Sequence, residues 1–288
     1  MPSNSRESIQ AIDAVVNLRT PEMVEKREHE FRHFSEQFNI EERVVTLDEL
    51  VELMDESNIE KAFLIAVKRG SKYFGFSDLA VPYDVVYEAV QEYPDRFYGL
   101  AGIDPWEGME GVRHLEDALE KTGFIGAHLY PHWFFMKPEH RKYYPFYAKC
   151  VELDIPIQIQ VGHCLDYLEG RLTHQSVGRP ISLDTIACDF PELKLIGIHT
   201  GYPWVEEMIS VAYKHSNVYI GSDAHSPKYW KPEFVEFING RGSDKVIFGT
   251  DFPVLDMERT IAEIDDLGFK PEVKRKLLRE NAEKAYDL

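Results

Sequence analysis

The chain has 288 residues, of which 44% are hydrophobic and 12% aromatic, and its formal net charge at pH 7 is −18. That apolar content is ample for a packed core, so intrinsic disorder is not expected. The negative charge disfavours nucleic acid and anionic membranes as partners. No apolar run approaches the roughly 18 residues of a membrane span. These features indicate a globular protein whose partner is a small molecule.

The three cysteines are odd in number, widely spaced and without a CxxC motif: Cys150, Cys164 and Cys188. This usage is typical of reduced thiols in a cytoplasmic protein. The N-terminal stretch MPSNSRESIQ lacks the apolar core of a signal peptide. We therefore expect a cytoplasmic protein, for which a homodimer is a common assembly.

Short apolar runs alternate with amphipathic segments along the whole chain. The runs predict strands over residues 9–16, 61–67, 97–103, 124–130, 156–161, 195–199, 217–222 and from 245 to 250 or 251. The amphipathic segments predict helices over residues 21–37, 46–57, 83–93, 108–121, 138–153, 182–190, 204–215, 229–240, 259–267 and 271–286. At the second of these, Thr46 followed three residues later by Glu49 predicts a capping box.

This alternation predicts a parallel α/β fold, and the number of strand–helix units matches a (β/α)8 TIM barrel of about 250 residues. We expect a single domain over residues 1–288, with a helical insertion at about 21–43 whose role as a lid, an interface or both stays open. A doubly wound open sheet is the alternative. The first βα loop has no GxGxxG and the chain has no P-loop, so nucleotide binding has no support.

Two of the apolar runs end in a residue whose side chain can act in catalysis or metal binding. The stretch KLIGIHTGYPW places His199 after a buried strand, and KVIFGTDFP places Asp251 after another. Polar residues at the C-terminal strand ends of a barrel face the ligand crevice. A buried carboxylate also needs a partner such as a metal, a histidine or a substrate. His199 and Asp251 are therefore the candidate catalytic residues.

With these motifs in view, the chain resembles the amidohydrolase superfamily, and most closely amidohydrolase-related family 2, which includes aminocarboxymuconate-semialdehyde decarboxylase. The resemblance runs from about residue 12 to 288. Its most specific parts are PELKLIGIHTGYPWVEE, KVIFGTDFPV and KRKLLRENAEKAYDL. It implies a metal-dependent (β/α)8 barrel of the hydrolase type, with D-x-H-x-H on strand one, histidines on strands five and six, and an aspartate on strand eight.

Three of the implied metal ligands are missing from this chain. Val15 and Asn17 stand where strand one would carry its two histidines, and Gln160 stands where strand five would carry one. Valine cannot bind a metal, and neutral amides are poor zinc ligands beside imidazole. Only His199 and Asp251 match the pattern. Asp13 is expected to make a buried structural hydrogen bond.

Other polar residues follow the strands nearby. We hypothesise a metal site relocated toward strands four to eight, because such strand ends adjoin one another in a barrel. Its candidate ligands are His128, His163, His199, Asp223, His225 and Asp251. Two or three histidines with one or two carboxylates suit a divalent Zn, Fe or Mn ion. The candidate substrate-binding residues are Tyr130, His132, Trp133, Asn17 and Gln160.

The leading functional hypothesis is a metal-dependent hydrolase of an ester, thioester, lactone or amide. In it Asp251 binds the metal and helps take a proton from bound water, while the histidines are ligands or oxyanion stabilisers. Aromatic residues near the strand ends, including Tyr73, Phe74 and Phe76, favour an aromatic or apolar acyl group.

Three alternatives stay open. The first is non-oxidative decarboxylation of a small or aromatic acid, whose carboxylate Arg69, Arg171 or Arg179 could hold. The second is a non-catalytic ligand-binding barrel, since lost ligands are a sign of such a protein. The third is a metal-free acid–base pair of His199 and Asp251.

Overall fold

A closed parallel β-barrel forms the centre of the molecule. The computed structural model describes residues 9–26, 43–68, 80–121, 123–164 and 174–288. Eight parallel strands follow one another around the sheet in chain order. They are β1 (Ala11–Val16), β2 (Ile59–Ala66), β3 (Phe97–Gly102), β4 (Phe124–Leu129), β5 (Ile157–Gln160), β6 (Leu195–Ile198), β7 (Val218–Gly221) and β8 (Val246–Ile247).

The first and last strands meet through backbone hydrogen bonds. The N–H of Ala14 donates to the carbonyl of Phe248 over 3.0 Å, and the N–H of Asn17 donates to the carbonyl of Phe252 over 2.9 Å. These bonds close the sheet on itself, so the TIM barrel predicted from the sequence is confirmed and the open doubly wound sheet is wrong.

Helices follow the strands and cover the outside of the barrel. They are α1 (Pro21–Lys26), α2 (Leu47–Glu56), α3 (Tyr83–Glu92), α4 (Met109–Leu119), α5 (Tyr144–Glu152), α6 (Ile181–Asp189), α7 (Val205–Lys214), α8 (Pro232–Ile238), α9 (Met257–Asp266), α10 (Pro271–Arg275) and α11 (Asn281–Tyr286). A π-helical turn, Lys276–Glu280, joins the last two. None of the helices in the described part of the chain has the length and apolar character needed to cross a bilayer.

The helix boundaries mostly follow the local sequence signals. Oγ1 of Thr46 accepts a hydrogen bond from the N–H of Glu49 over 3.2 Å, and the Glu49 carboxylate accepts one from the N–H of Thr46 over 2.8 Å. The predicted capping box at the start of α2 is thus confirmed. The helix predicted over 138–153 begins later, at Tyr144. Before it, Tyr143 bonds back three residues to His140, as in a turn, so the helical ladder has not yet begun.

Asp13 ties the two ends of the barrel together from the inside. It is fully buried. Its Oδ1 accepts from the N–H of Thr250 over 2.9 Å, and its Oδ2 accepts from the Thr250 hydroxyl over 2.5 Å. The structural role expected of Asp13 is confirmed, because these bonds fix β1 against the segment that follows β8.

Part of the predicted insertion falls on described residues. Helix α1 begins at Pro21, as the sequence predicts, and its last described residue is Lys26. Residues 27–42 lie outside the described residues, so the lid or interface role and the single-domain boundaries stay predictions. The aromatic residues at 73, 74 and 76 also lie outside the described part.

Candidate active site

The candidate site lies at the C-terminal ends of the strands, where His199 directly follows β6. The backbone of His199 is left-handed, with φ +70°, and so is that of Thr200, with φ +55°. This turn brings the imidazole over the barrel mouth, where the residue is 8% exposed. Its backbone N–H donates to Oδ1 of Asp223 over 3.1 Å, which fixes the start of the turn against β7.

Two carboxylates face the His199 ring. Nε2 of His199 lies 3.3 Å from Oδ2 of Asp223 and 3.6 Å from Oδ2 of Asp251. Asp223 is fully buried, and its Oδ2 has no hydrogen-bond partner among the described residues. The Asp251 side chain keeps 15% exposure and lies toward the solvent side. One nitrogen and two carboxylate oxygens therefore converge, all within 4.8 Å of one another.

The two amides that replace implied metal ligands bond to members of this cluster. Nδ2 of Asn17 donates to Oδ1 of Asp251 over 2.8 Å. Nε2 of Gln160 lies 2.9 Å from Nδ1 of His199. Through these contacts the two amides orient Asp251 and His199.

Burial controls the charge of the carboxyl groups. Burial raises the pKa of Asp223 to about 7, and the nearby charge of Asp13 adds to the effect. Burial likewise raises the pKa of Asp13 to about 7, against the hydrogen bonds from Thr250 and Val15. A buried carboxylate whose pKa is raised has no positive charge beside it to stabilise its ionised form. A bound cation would supply that charge.

Three histidines near the site, His199, His132 and His225, are neutral at pH 7 because burial lowers their pKa values. Burial lowers the pKa of His199 well below its usual range, and the imidazoles of His225, His132, His128 and His163 lower it further. Burial also lowers the pKa of His132 and of His225 to about 4. Neutral imidazoles can coordinate metals and accept or donate single hydrogen bonds, but they do not provide fixed positive charge.

The remaining predicted ligands surround the cluster without joining it. Among the described residues near the mouth, only His199, Asp223 and Asp251 place their donor atoms within 4.8 Å of one another. His128 is buried at the end of β4 with its ring 5.8 Å from that of Tyr130. His163 and His225 lie 6.0 Å apart, ring to ring. The ligand roles of these three histidines stay predictions.

Aromatic rings gather directly after β4. The Tyr130 ring lies 6.5 Å from the His132 ring and 6.2 Å from that of Trp133. His132 is fully buried, and its Nε2 lies 3.2 Å from the carbonyl oxygen of Gly162. The residues predicted to contact substrate through aromatic rings are thus gathered after β4, and Tyr130 is the one of these three that is partly exposed.

Tyr202 belongs to the site and was missed by sequence reasoning. Its ring lies 5.0 Å from the rings of both His163 and His225, and the residue is 41% exposed. A signal was available, because Tyr202 lies three residues beyond His199 in the same βα loop. We define the rings of His163, Tyr202 and His225 as the mouth triad.

Arg179, one of the arginines considered for substrate binding, contacts a helix on the outside of the barrel. Nε of Arg179 donates to Oε1 of Glu207 over 3.1 Å, and its guanidinium lies 4.9 Å from the centre of the Trp204 ring. Arg179 is therefore engaged with helix α7. The arginines at 69 and 171 lie outside the described residues.

A second group of donor atoms lies away from the mouth, on α6 and at the end of α7. It consists of Asp184, Cys188 and His215. Asp184 already accepts from Lys214 over 2.5 Å and contacts Nε2 of His215 over 2.7 Å. These partners explain its position, so this group is not a candidate for the catalytic centre.

Comparison with known proteins establishes the family. The sequence profile of the amidohydrolase family matches residues 78–288, which is more than half of the chain. The chain therefore belongs to the amidohydrolase family, as its motifs predict.

Three relatives illustrate the likeness. The chain is 30% identical over 160 residues to a 2-keto-4-carboxy-3-hexenedioate hydratase of a Sphingobium species, a match that covers 46% of each protein. A 5-carboxyvanillate decarboxylase of Novosphingobium aromaticivorans, solved with manganese and a nitrobenzoic acid ligand, superposes with a TM-score of 0.75 at 19% identity, covering 98% of this chain and 97% of the other. A Rhizobium 2,6-dihydroxybenzoate decarboxylase gives 0.70 at 16% identity, covering 97% and 99%.

These relatives correct the functional prediction. The activities that they carry are decarboxylation and hydration, and neither reaction is the hydrolysis of a carboxyl derivative. The prediction of an ester, thioester, lactone or amide hydrolase is therefore wrong, and the decarboxylase alternative has the better support. The thioesterase interpretation is dropped with it.

Proposed function

We propose that the protein is a metal-dependent lyase that removes carbon dioxide without oxidation from a small hydroxylated aromatic acid. The single observation that carries the proposal is the convergence of His199, Asp223 and Asp251 at the barrel mouth, with a fully buried carboxylate oxygen of Asp223 lacking a hydrogen-bond partner among the described residues. A buried, unsatisfied carboxylate calls for a positive charge.

The donor set fits a divalent cation. One imidazole nitrogen and two carboxylate oxygens suit Mn²⁺ or Zn²⁺. His199, Asp223 and Asp251 would hold the ion, and manganese is present in the Novosphingobium enzyme. When bound, the ion would supply the charge that attracts the carboxylate and phenolate oxygens of a substrate.

The chain's own residues would bind the ring and handle the proton. In the reaction the bond between the ring carbon and the carboxylate breaks, its electron pair stays on the ring carbon, carbon dioxide leaves, and the ring carbon takes one proton. Asp251 is the candidate proton donor because it is the cluster's carboxyl group with access to solvent, which can reprotonate it after each turnover. The bond from Asn17 keeps this carboxyl group aimed into the site.

Substrate binding would use flat, largely uncharged surfaces. Tyr130 and the mouth triad present aromatic rings and neutral imidazoles. Such surfaces favour a planar ring and exclude water from the carboxylate, which makes loss of carbon dioxide easier. The substrates in the names of the two decarboxylases are hydroxylated benzoates, and that is the class we propose here.

Hydration of an unsaturated keto acid is the second candidate, favoured by the match to the Sphingobium hydratase. Both reactions transfer one proton at a carbon near a carboxyl group, so the same acid–base residues serve either. The products differ, because decarboxylation releases carbon dioxide and hydration adds water and releases nothing.

The test is an assay of protein freed of metal with a chelator and then supplied with Mn²⁺. Hydroxybenzoates and unsaturated keto diacids are offered separately, and carbon dioxide is measured beside the ultraviolet spectrum. We expect carbon dioxide from a hydroxybenzoate, only with metal, and none from Asp251→Asn. Loss of conjugation without carbon dioxide would favour hydration instead. Turnover that is equally fast without metal would contradict both versions.

We also expect a cytoplasmic enzyme, as the reduced cysteines predict.

A further inference from the structure

Three different donor side chains meet on the outside of the barrel, between α6 and the end of α7. They belong to Asp184, Cys188 and His215, and we call them the outer cluster. A carboxylate oxygen, the sulfur and an imidazole nitrogen all lie within 4.8 Å of one another. Ligand atoms of a tetrahedral zinc ion are about 3.3 to 3.8 Å apart, because its bonds are about 2.0 to 2.3 Å long. The three donor atoms are therefore close to the spacing that such an ion needs.

The local structure brings these donors together. Asp184 and Cys188 are four residues apart within α6, a spacing that puts two side chains on the same helix face. His215 directly follows α7, and its Nε2 lies 2.7 Å from Oδ1 of Asp184. The backbone of His215 is held in place too, because its carbonyl accepts a hydrogen bond from Nζ of Lys245 over 2.8 Å. Two neighbouring helices thus contribute to one group of donors.

The outer cluster lies at the end of the barrel opposite the candidate active site. Cys188 comes shortly before β6 begins at Leu195, and His215 comes shortly before β7 begins at Val218. These are N-terminal strand ends, whereas His199 lies at a C-terminal strand end. In TIM barrels the N-terminal face contributes to stability and the C-terminal face to catalysis. An ion bound by the outer cluster would therefore have a structural role.

A cation already contacts part of the outer cluster. The ammonium group of Lys214 donates to Oδ1 of Asp184 over 2.5 Å, and the Lys214 side chain is 57% exposed. An exposed ion pair of this kind contributes little stability, so the ammonium group can return to water at small cost. A divalent ion in its place would carry twice the charge and would also bond to the sulfur and the imidazole.

The donor types select the metal. Thiolate and imidazole are ligands that zinc prefers, whereas Mn²⁺ and Mg²⁺ prefer oxygen. One sulfur, one nitrogen and one oxygen leave the fourth tetrahedral position for water. Water can reach it, because Cys188 is exposed and the side chain of Asp184 is 27% exposed.

We propose that the outer cluster is a second metal site, which binds Zn²⁺ through Sγ of Cys188, Nε2 of His215 and Oδ1 of Asp184. Zinc displaces the ammonium group of Lys214, and the protons that the donor groups lose go to water. The bound ion links α6 to the end of α7 and stabilises the outside of the barrel. The proposal does not depend on the proposed function, because the outer cluster shares no residue with the group at the barrel mouth.

The experiment titrates the metal-free, full-length protein with Co²⁺ and follows its absorption. Cobalt binds the same donors as zinc, and a cobalt–thiolate bond absorbs in the near ultraviolet. The three residues that converge at the barrel mouth carry no thiol, so cobalt bound by them does not give this absorption. We expect about one thiolate-bound cobalt ion per chain, which Zn²⁺ then displaces because it binds such donors more tightly.

Substitution of single cysteines identifies the thiol. Cys188→Ser should abolish the absorption, and it should fold normally because Cys188 is exposed. The matched control is Cys164→Ser, since Cys164 is partly exposed and Cys150 is fully buried. This control should keep the absorption. Zinc should also raise the melting temperature of the wild type more than that of Cys188→Ser.

Substitution of the other donors tests whether a site or a single thiol binds the ion. Asp184→Asn and His215→Gln each lose one ligand atom. Each should weaken cobalt binding by more than the roughly 10- to 100-fold that loss of an outer-shell partner costs. Lys214→Met removes the competing ammonium group and should strengthen binding.

Several results would overturn the proposal. If Asp184→Asn and His215→Gln bind cobalt like the wild type, the ion is bound adventitiously by one exposed cysteine. Absorption that is lost in Cys164→Ser and kept in Cys188→Ser, or no absorption in the wild type, would refute the site. Unchanged or weaker binding by Lys214→Met would refute displacement of the ammonium group. Manganese uptake at the mouth is measured separately by elemental analysis, so failure of one site does not decide the other.

Discussion

Asn17 donates a hydrogen bond from Nδ2 to Oδ1 of Asp251 over 2.8 Å, and a second one to the carbonyl of Phe252 over 3.2 Å. The contact joins the end of β1 to the segment after β8, where the barrel closes. It leaves Oδ2 of Asp251 facing the His199 ring. The residue that replaces an implied metal ligand therefore holds the carboxyl group on which the proposed reaction depends.

Replacing Asn17 with alanine should lower both metal affinity and turnover. Without its donor, the Asp251 carboxylate can rotate away from His199, so we expect a loss of about 10- to 100-fold in Mn²⁺ affinity, as for other residues that orient a ligand. The measurements are metal titration and kcat on the hydroxybenzoate identified in the assay. Asn17→Ala protein that folds normally and keeps wild-type affinity would show that Asp251 needs no such support.

Replacing Asp223 with asparagine should separate metal binding from stability. The variant loses a ligand, so we expect bound metal to fall from about one equivalent to near zero. The metal-free variant should be at least as stable as the metal-free wild type, because a buried carboxyl group has been replaced by a neutral amide of the same shape. Elemental analysis and thermal unfolding measure the two effects.

Ser222→Ala is the matched control for that variant. Ser222 is the buried neighbour of Asp223, and its hydroxyl has no hydrogen-bond partner among the described residues. We expect wild-type metal content from Ser222→Ala. Full metal content in Asp223→Asn would mean that Asp223 is not a ligand.

The positions of the main site residues could be predicted from the sequence, because each follows a short apolar run. His199, Asp223 and Asp251 each come one to four residues after a short buried strand, and parallel strands present such positions at one edge. Alternation along β5 also places Gln158 and Gln160 on the same inward face, at two levels of the barrel.

The sequence did not predict which of these side chains point toward one another. His199, Ala224 and Asp251 have left-handed backbones without being glycine, with φ of +70°, +64° and +57°. Nothing in the sequence signals such a conformation at a histidine, an alanine or an aspartate, because tertiary contacts impose it. For this reason six residues were candidate ligands in the sequence, and three of them converge in the structure.

The stability of the metal-free protein should depend on pH through Asp13. Its pKa is about 7 in the folded protein and near 3.8 in the unfolded chain, so the folded state holds a proton that the unfolded state has lost. A raised pKa of this kind contributes stability at low pH that is lost as the pH rises through about 7. Between pH 3.8 and about pH 7 the free energy of unfolding therefore falls, through Asp13 alone, by at most roughly 1.4 kcal/mol per pH unit.

Asp13→Asn is the comparison that isolates this contribution. The amide keeps the size of the side chain but does not titrate, so the difference in unfolding free energy between wild type and variant should shift in favour of the variant from pH 5 to pH 8. Taking the difference removes the opposite trend from histidines such as His132 and His225, whose lowered pKa values reduce stability as the pH falls. A pH-independent difference would mean that Asp13 is ionised throughout.

Arg179→Gln should have little effect on substrate binding. The arginine is paired with Glu207 and stacked on Trp204, and this ion pair is partly exposed, so its loss should have only a small effect on stability. We expect KM for an aromatic acid to stay within about threefold of the wild type. A rise in KM of a hundredfold would show that Arg179 leaves Glu207 to hold the substrate carboxylate.

Tyr202→Leu should raise KM for an aromatic acid while leaving metal content unchanged. The Tyr202 ring is the exposed member of the mouth triad, 5.0 Å from each imidazole, and it is not part of the metal-binding cluster. Loss of one ring contact is worth about 1 kcal/mol, or roughly fivefold in KM. Tyr202→Phe keeps the ring and should behave like the wild type if stacking is what matters. If Tyr202→Phe is impaired as strongly as Tyr202→Leu, the phenolic hydroxyl rather than the ring face contacts the substrate.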